Sequence, residues 1–158
     1  MVMALAQPRR TSPIEGLILA ATAVVETGRA IVTGRLRLAT PTQAEPLHIG
    51  VGTGTTVTAT TQTALVTERV VEARVAGTSS QQTTTTTSDT YRVVGTFTMS
   101  QAGPVAITEA ALFDTTRGAG VAAPVGTMFL RSDFAAVNLS LNDSLTLTIN
   151  TQLTSTAA

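Results

Sequence analysis

The strongest regularity along the chain lies near its end, where Leu145, Leu147, Ile149 and Leu153 are opposed by Thr146, Thr148, Asn150 and Gln152. Alternation with a period of two sends one set of side chains to each face of a strand. Residues 91–99 repeat it, with Val93, Gly95, Phe97 and Met99 on one side and Arg92, Val94, Thr96 and Thr98 on the other. Val71, Ala73 and Val75 alternate with Glu72 and Arg74. Val105, Ile107, Ala111 and Phe113 recur at strand spacing, with Glu109 falling on the same side. Residues 47–51 read as a short buried strand running into Gly50, Gly52 and Gly54, and residues 127–134 as a further strand.

Turn signals separate these runs: Pro41 and Pro46, Gly103-Pro104, a glycine-containing stretch over residues 114–123, and Asn142-Asp143-Ser144. Residues 53–67 are polar and Thr-rich, with Leu65 as the large apolar anchor besides Val57 and Val66, which suits a long contact loop. The five consecutive threonines of residues 83–87 suit a solvent-facing hairpin or a mobile tip. Two readings compete over residues 14–38: an extended segment first, then a short helix near residues 28–37 with Thr27 as its cap and Ile31, Val32 and Leu36 on one face. Residues 1–13, with Pro8, Arg9, Arg10, Ser12 and Pro13, present no periodic apolar face. They read as an extended arm, either unpacked or ordered only against a neighbour.

Half a dozen short strands without helical gaps predict an all-β fold: an antiparallel β-sandwich of jelly-roll type, or a small barrel. The expected organisation is an arm over residues 1–13 and a single β-rich domain over residues 14–158. Apolar-in, Thr-out alternation allows one wet face per sheet.

Composition sharpens this picture. About one residue in five is Thr, a β-branched residue that suits pleated surfaces, while aromatics are 3% and Trp is absent, so the core must be built mostly from Val, Ile, Leu and Ala. A formal net charge of +0 removes the electrostatic term on which general nucleic-acid binding depends. With no cysteine, disulfides, thiolate metal sites and cysteine nucleophiles are excluded. The arginine pair follows the short apolar start instead of preceding it, the reverse of a secretory signal, and the apolar stretch over residues 17–25 is too short to span a bilayer. A soluble protein without membrane partners is expected.

Candidate chemistry is thin. Gly50, Gly52 and Gly54 invite a phosphate-loop reading, but the chain has no Lys to reach a phosphate, and the alternating glycines lead into Thr rather than a helix. They read as a glycine-shaped turn. His48 is the single histidine, so any imidazole relay or metal site must run through it, and no carboxylate cluster stands nearby in sequence. Glu109 and Asp114 are the closest candidate pair for glycoside chemistry, which needs carboxylates roughly 5–9 Å apart. Their spacing points them to opposite faces of one strand. Glu109, flanked by apolar residues, is expected to be partly buried and to accept backbone or Arg hydrogen bonds near a turn. Glu68 and Glu72, interleaved with Arg69 and Arg74, read as cross-strand ion pairs on a solvated face. No catalytic, cofactor-binding or metal-ligating residue is assigned, and no enzymatic activity is expected.

Two stretches carry a resemblance. The first is Gly34-Arg35-Leu36, then Leu47-His48-Ile49-Gly50-Val51-Gly52-Thr53-Gly54-Thr55-Thr56, then Thr63-Ala64-Leu65-Val66-Thr67-Glu68. The second is Ile107-Thr108-Glu109-Ala110-Ala111-Leu112-Phe113-Asp114, then Gly126-Thr127-Met128-Phe129-Leu130-Arg131, then Asn142-Asp143-Ser144-Leu145-Thr146-Leu147-Thr148-Ile149. In order and spacing the chain resembles small virion structural proteins of tailed bacteriophages, the head-decoration or tail-fibre-like class. Ala111 and Asn142 stand where that class favours Gly. The resemblance implies a β-sandwich displayed on the virion as a homo-oligomer, a trimer, in contact with the major capsid protein or another virion protein. It transfers no catalytic residue.

Overall fold

The computed structural model describes residues 14–18 and 22–154. The arm expected over residues 1–13 lies outside the described residues. Among those described, the order is β1 (Ile14–Ile18), β2 (Thr22–Val24), α1 (Glu26–Arg37), β3 (His48–Gly52), β4 (Val75–Ala76), β5 (Thr78–Gln82), β6 (Thr90–Thr98), β7 (Val105–Phe113), β8 (Met128–Leu139) and β9 (Ser144–Gln152). One sheet runs β1-β9-β6-β5 and the other β2-β8-β7-β3-β4. Every ladder is antiparallel except β1 on β9, which is parallel. This is the all-β sandwich that the alternation predicts, with one short helix.

The wrapping follows the chain. β7 and β8 pair in one sheet, while their sequence neighbours β6 and β9 pair in the other, from Thr90↔Gln152 to Thr98↔Ser144. A long hairpin is thus rolled over on itself in the manner of jelly rolls. Between the sheets, Val93, Phe97 and Met99 of the β6 arm and Leu145, Leu147 and Ile149 of β9 meet Ile49, Val51, Ile107, Ala110, Leu112 and Leu130. The turn into β9 holds Asn142 at φ +68°, a left-handed conformation that Asn tolerates almost as well as Gly. Asp143 Oδ2 closes that turn by accepting the Ser140 N–H at 2.7 Å.

Four local expectations are corrected. Residues 71–74 are not strand, and their burial is inverted: Glu72 and Arg74 are buried while Val71 and Ala73 are exposed. Leu153 lies past the end of β9 and is exposed. Thr27 does not cap α1. Val25 occupies the cap position without a side-chain bond. The Glu26 N–H goes instead to the Thr60 carbonyl at 2.8 Å, and the Thr27 hydroxyl donates to the Met128 carbonyl at 2.7 Å. Finally, Ile31 is buried and Val32 packs beside it, but Leu36 is 83% exposed. Five residues on from Ile31 a helix has turned about 140° past it.

Register also revises β7. A shift between Ile107 and Glu109 turns the strand over, so Ile107 joins the core between the sheets, whereas Ala111 and Phe113 face the other way with Val25, Leu65 and Met128. Such a shift is a β-bulge, which re-aims the side chains that follow it. Glu109 is carried to this outer side with them.

Candidate interaction surface

The outer side of the β3-β7-β8 sheet is where the charged residues gather. Cross-strand partners share a face, so the pairs Gly52↔Glu109, Gly50↔Ala111 and Ala111↔Arg131 put small residues in the middle of that face and two charges near its end. Gly50 lies within the strand expected over residues 47–51, and that strand continues through Gly52 where a glycine-shaped turn was expected. Their role is to be bare. A Cβ on Gly50 would come 2.9 Å from the Phe113 ring and 3.2 Å from Glu68 Oε1, and one on Gly52 would overlap both Glu109 and the Thr67 carbonyl.

Glu109 fills the space they leave. One of its oxygens accepts the N–H groups of Gly54 at 3.1 Å and Thr67 at 2.8 Å; the other accepts Val66 N–H at 3.0 Å and Arg131 Nε at 2.8 Å. Both side chains of the Glu109–Arg131 pair are fully buried. The rest of the Arg131 fork reaches the Thr56 carbonyl, the Thr58 hydroxyl and the Gln62 amide oxygen at 2.8–3.1 Å. The Thr58 N–H donates to Asp133 at 2.8 Å. Hydrogen bonds from Thr58 hold the Asp133 carboxyl below the usual carboxylate range. The Thr-rich segment 53–67 is therefore pinned at both ends, with Leu65 pressed inward and Val57 and Val66 exposed.

A second cluster secures the neighbouring loops. Glu68 takes Arg74 Nε at 2.8 Å and Arg117 Nε at 2.9 Å, all three side chains being almost wholly buried. Arg74 lies over the Phe113 ring, 3.3 Å from its centre, and donates to the carbonyls of Thr115 and Val125. Arg117 spends its donors on the carbonyls of Arg69, Val70, Glu72, Gly118 and Val121. Burial alone would raise the Glu68 carboxyl, but the hydrogen bonds and charges of Arg74 and Arg117 outweigh it and hold the pKa below its ordinary value. These are buried ties between loops, not the solvated cross-strand pairs expected of Glu68 and Arg74. Glu72 instead pairs with Arg69 three residues earlier, at 3.2 Å. Val71 and Val121 flank the Gly120 N–H···O=C Val70 bond of 2.7 Å and are exposed.

The chemical candidates separate. Asp114 sits past the end of β7, accepting the Thr127 N–H at 2.7 Å, while Glu109 is locked to Arg131. Both carboxylates are engaged in these bonds, and the two do not form a pair. His48 lies in β3 opposite Phe113 and Ala76, its Nδ1 buried with no hydrogen-bond partner among the described residues. No group of three or more His, Asp or Glu side chains among the described residues is arranged to hold a metal ion. No helix among them is long and apolar enough to cross a membrane.

Sequence reasoning found Glu109 as a buried acid but missed Arg131, Arg117 and the covering role of residues 53–74. The available signal was Arg131 itself, a cation directly after the apolar run Met128-Phe129-Leu130. The surface is thus a layer of loops, fixed from beneath by buried ion pairs, that shows Val57, Val66, Val71 and Val121 to its surroundings. No protein-family model, no curated protein and no solved structure matches this chain.

Proposed function

We propose that this chain is a structural protein of a bacteriophage virion, in the first place a capsid decoration (cement) protein that stabilises the head through contacts between subunits. It assembles as a homotrimer, meets the major capsid protein, and performs no catalysis. The observation that carries this reading is the loop layer. Buried charges that an enzyme would leave available for reaction are here consumed in fixing loops: Glu109, Glu68, Arg74, Arg117 and Arg131 each bind main-chain groups or one another. A surface held rigid before contact loses little conformational entropy on binding, which is what a clamp on a shell requires. The resemblance of residues 34–68 and 107–149 to virion proteins supports the same assignment and also fits a tail, neck or fibre-base component. A carbohydrate-binding module is disfavoured by the near-absence of aromatic stacking residues.

Cryo-imaging of particles carrying a labelled copy tests the reading. Density in hundreds of equivalent positions over the head supports the decoration role, a tail or neck location supports the alternative, and absence from the particle overturns both. Deleting residues 1–13 is expected to lower occupancy on the shell while leaving the fold intact.

A further inference from the structure

Among the described residues each sheet of the sandwich has two edges, and three of the four are protected. β4 is two residues long, β2 is three, and β1 has a register shift between Ile14 and Leu17. Short length, charge and bulges are the usual devices that keep an edge from pairing with another chain. β5 has none of them. Its five residues, Thr78-Ser79-Ser80-Gln81-Gln82, are uncharged, contain no Pro, and pair with β6 in unbroken register.

The direction of its backbone groups follows from β6. Met99 N–H donates to the Asp143 carbonyl at 2.9 Å and Leu153 N–H to the Asp89 carbonyl at 2.8 Å, so odd-numbered residues along this arm face β9. Thr90, Arg92 and Val94 therefore face β5, where their partners are Gln82, Ser80 and Thr78. Ser79 and Gln81 must then direct their N–H and C=O groups away from the sheet. Gly77, on the same side, donates to the Leu47 carbonyl at 2.9 Å, consistent with that direction.

We propose that β5 is a self-association edge, pairing antiparallel with β5 of a second copy about a two-fold axis at Ser80. Ser79 of each copy exchanges both main-chain bonds with Gln81 of the other, and Ser80 faces Ser80. The occupant is a second copy because a two-fold pairing sets identical or near-identical residues against each other. Only an uncharged strand does so without repulsion, and a net charge of +0 adds no long-range penalty. Thr, Ser and Gln side chains along the seam supply further hydrogen bonds. The contact is small and so reversible, and it would join the β1-β9-β6-β5 sheets of two copies into one. It is independent of the virion reading and is tested on the purified full chain.

Sedimentation velocity across a wide concentration range, with amide hydrogen exchange, makes the test. The expected result is concentration-dependent pairing, with the Ser79 and Gln81 amides gaining at least tenfold protection as pairs form. Gln81→Pro removes an outward N–H without touching the β5–β6 ladder, and it should weaken pairing at least tenfold with an unchanged circular dichroism spectrum. Ser80→Glu and Ser80→Lys test the same seam without proline: each alone should fail to pair, and their mixture should pair. The proposal is overturned if wild type and Gln81→Pro show the same association state, whether single or paired, or if mixing the two Ser80 variants restores nothing.

Discussion

Glu109 and Gly52 make a lock of one charged and one absent side chain. Removing the carboxylate in Glu109→Ala strands a buried guanidinium and three N–H groups, so it should destabilise the fold by roughly 3–5 kcal/mol, read as a lowered denaturant midpoint. Replacing both partners with apolar residues, Glu109→Leu with Arg131→Met, should recover much of that loss, because no unpaired charge remains. Gly52→Ala is expected to cost about 1–3 kcal/mol by overpacking, since its Cβ meets the Thr67 main chain, which cannot rotate away. At this scale the sequence was half readable. An acid among apolar neighbours announced a buried Glu109, but the reason for alternating glycines appears only when β3 and β7 are laid side by side. A glycine's purpose is written in the residues across from it, not beside it.

At the scale of elements, alternation proved reliable in β6 and β9, whose shared ladder is unbroken, and failed at the bulge of β7 and where the chain runs across a sheet. Residues 71–74 alternate perfectly yet form a loop with its charges inside, because Arg74 and Glu72 find partners under the layer that solvent would otherwise supply. The Glu68 cluster makes this loop sensitive to acid. Its carboxyl pKa is lower in the folded chain than in the unfolded one, so the stability it contributes is present above the ordinary glutamate value of about 4.3 and is lost as pH falls through the folded value. Glu68→Gln should therefore flatten the fall in denaturant midpoint that wild type shows below about pH 4.3. The threonine tip works by the same logic in the open. Asp89 accepts the N–H groups of Thr84, Thr85 and Thr86 at 2.8–3.0 Å, and those bonds, Thr86's foremost, hold its carboxyl well below the usual range. Asp89→Asn should speed amide exchange at those three positions while leaving β6 protected. The five-threonine run is thus an ordered cap on the β5–β6 hairpin, a distinction that composition left open between hairpin and mobile tip.

For the whole molecule, the two-layer fold was legible because its core strands carry their own period. The second layer of loops was not, since it depends on contacts between residues more than forty positions apart, such as Thr67 with Glu109. That layer sets what the outer side of this sheet presents to its surroundings. Burial is complete beneath it, and yet Val57 is 74% exposed on its outside, with Val66, Val71 and Val121 also left in water. Exposed valines on mobile loops would be unremarkable; on a layer anchored by Arg131, Arg117 and Arg74 they are held in one arrangement, the condition under which a few apolar contacts contribute most to binding. The double change Val57→Asp and Val71→Asp should leave stability within about 0.5 kcal/mol of wild type, because neither side chain supports the core. If this layer faces the capsid, the same variant should lose occupancy on the shell, measured as copies per head in particles assembled with it. Full occupancy with an intact fold would move the contact to another face, with the anchored layer then serving only to seal the outer side of the sheet.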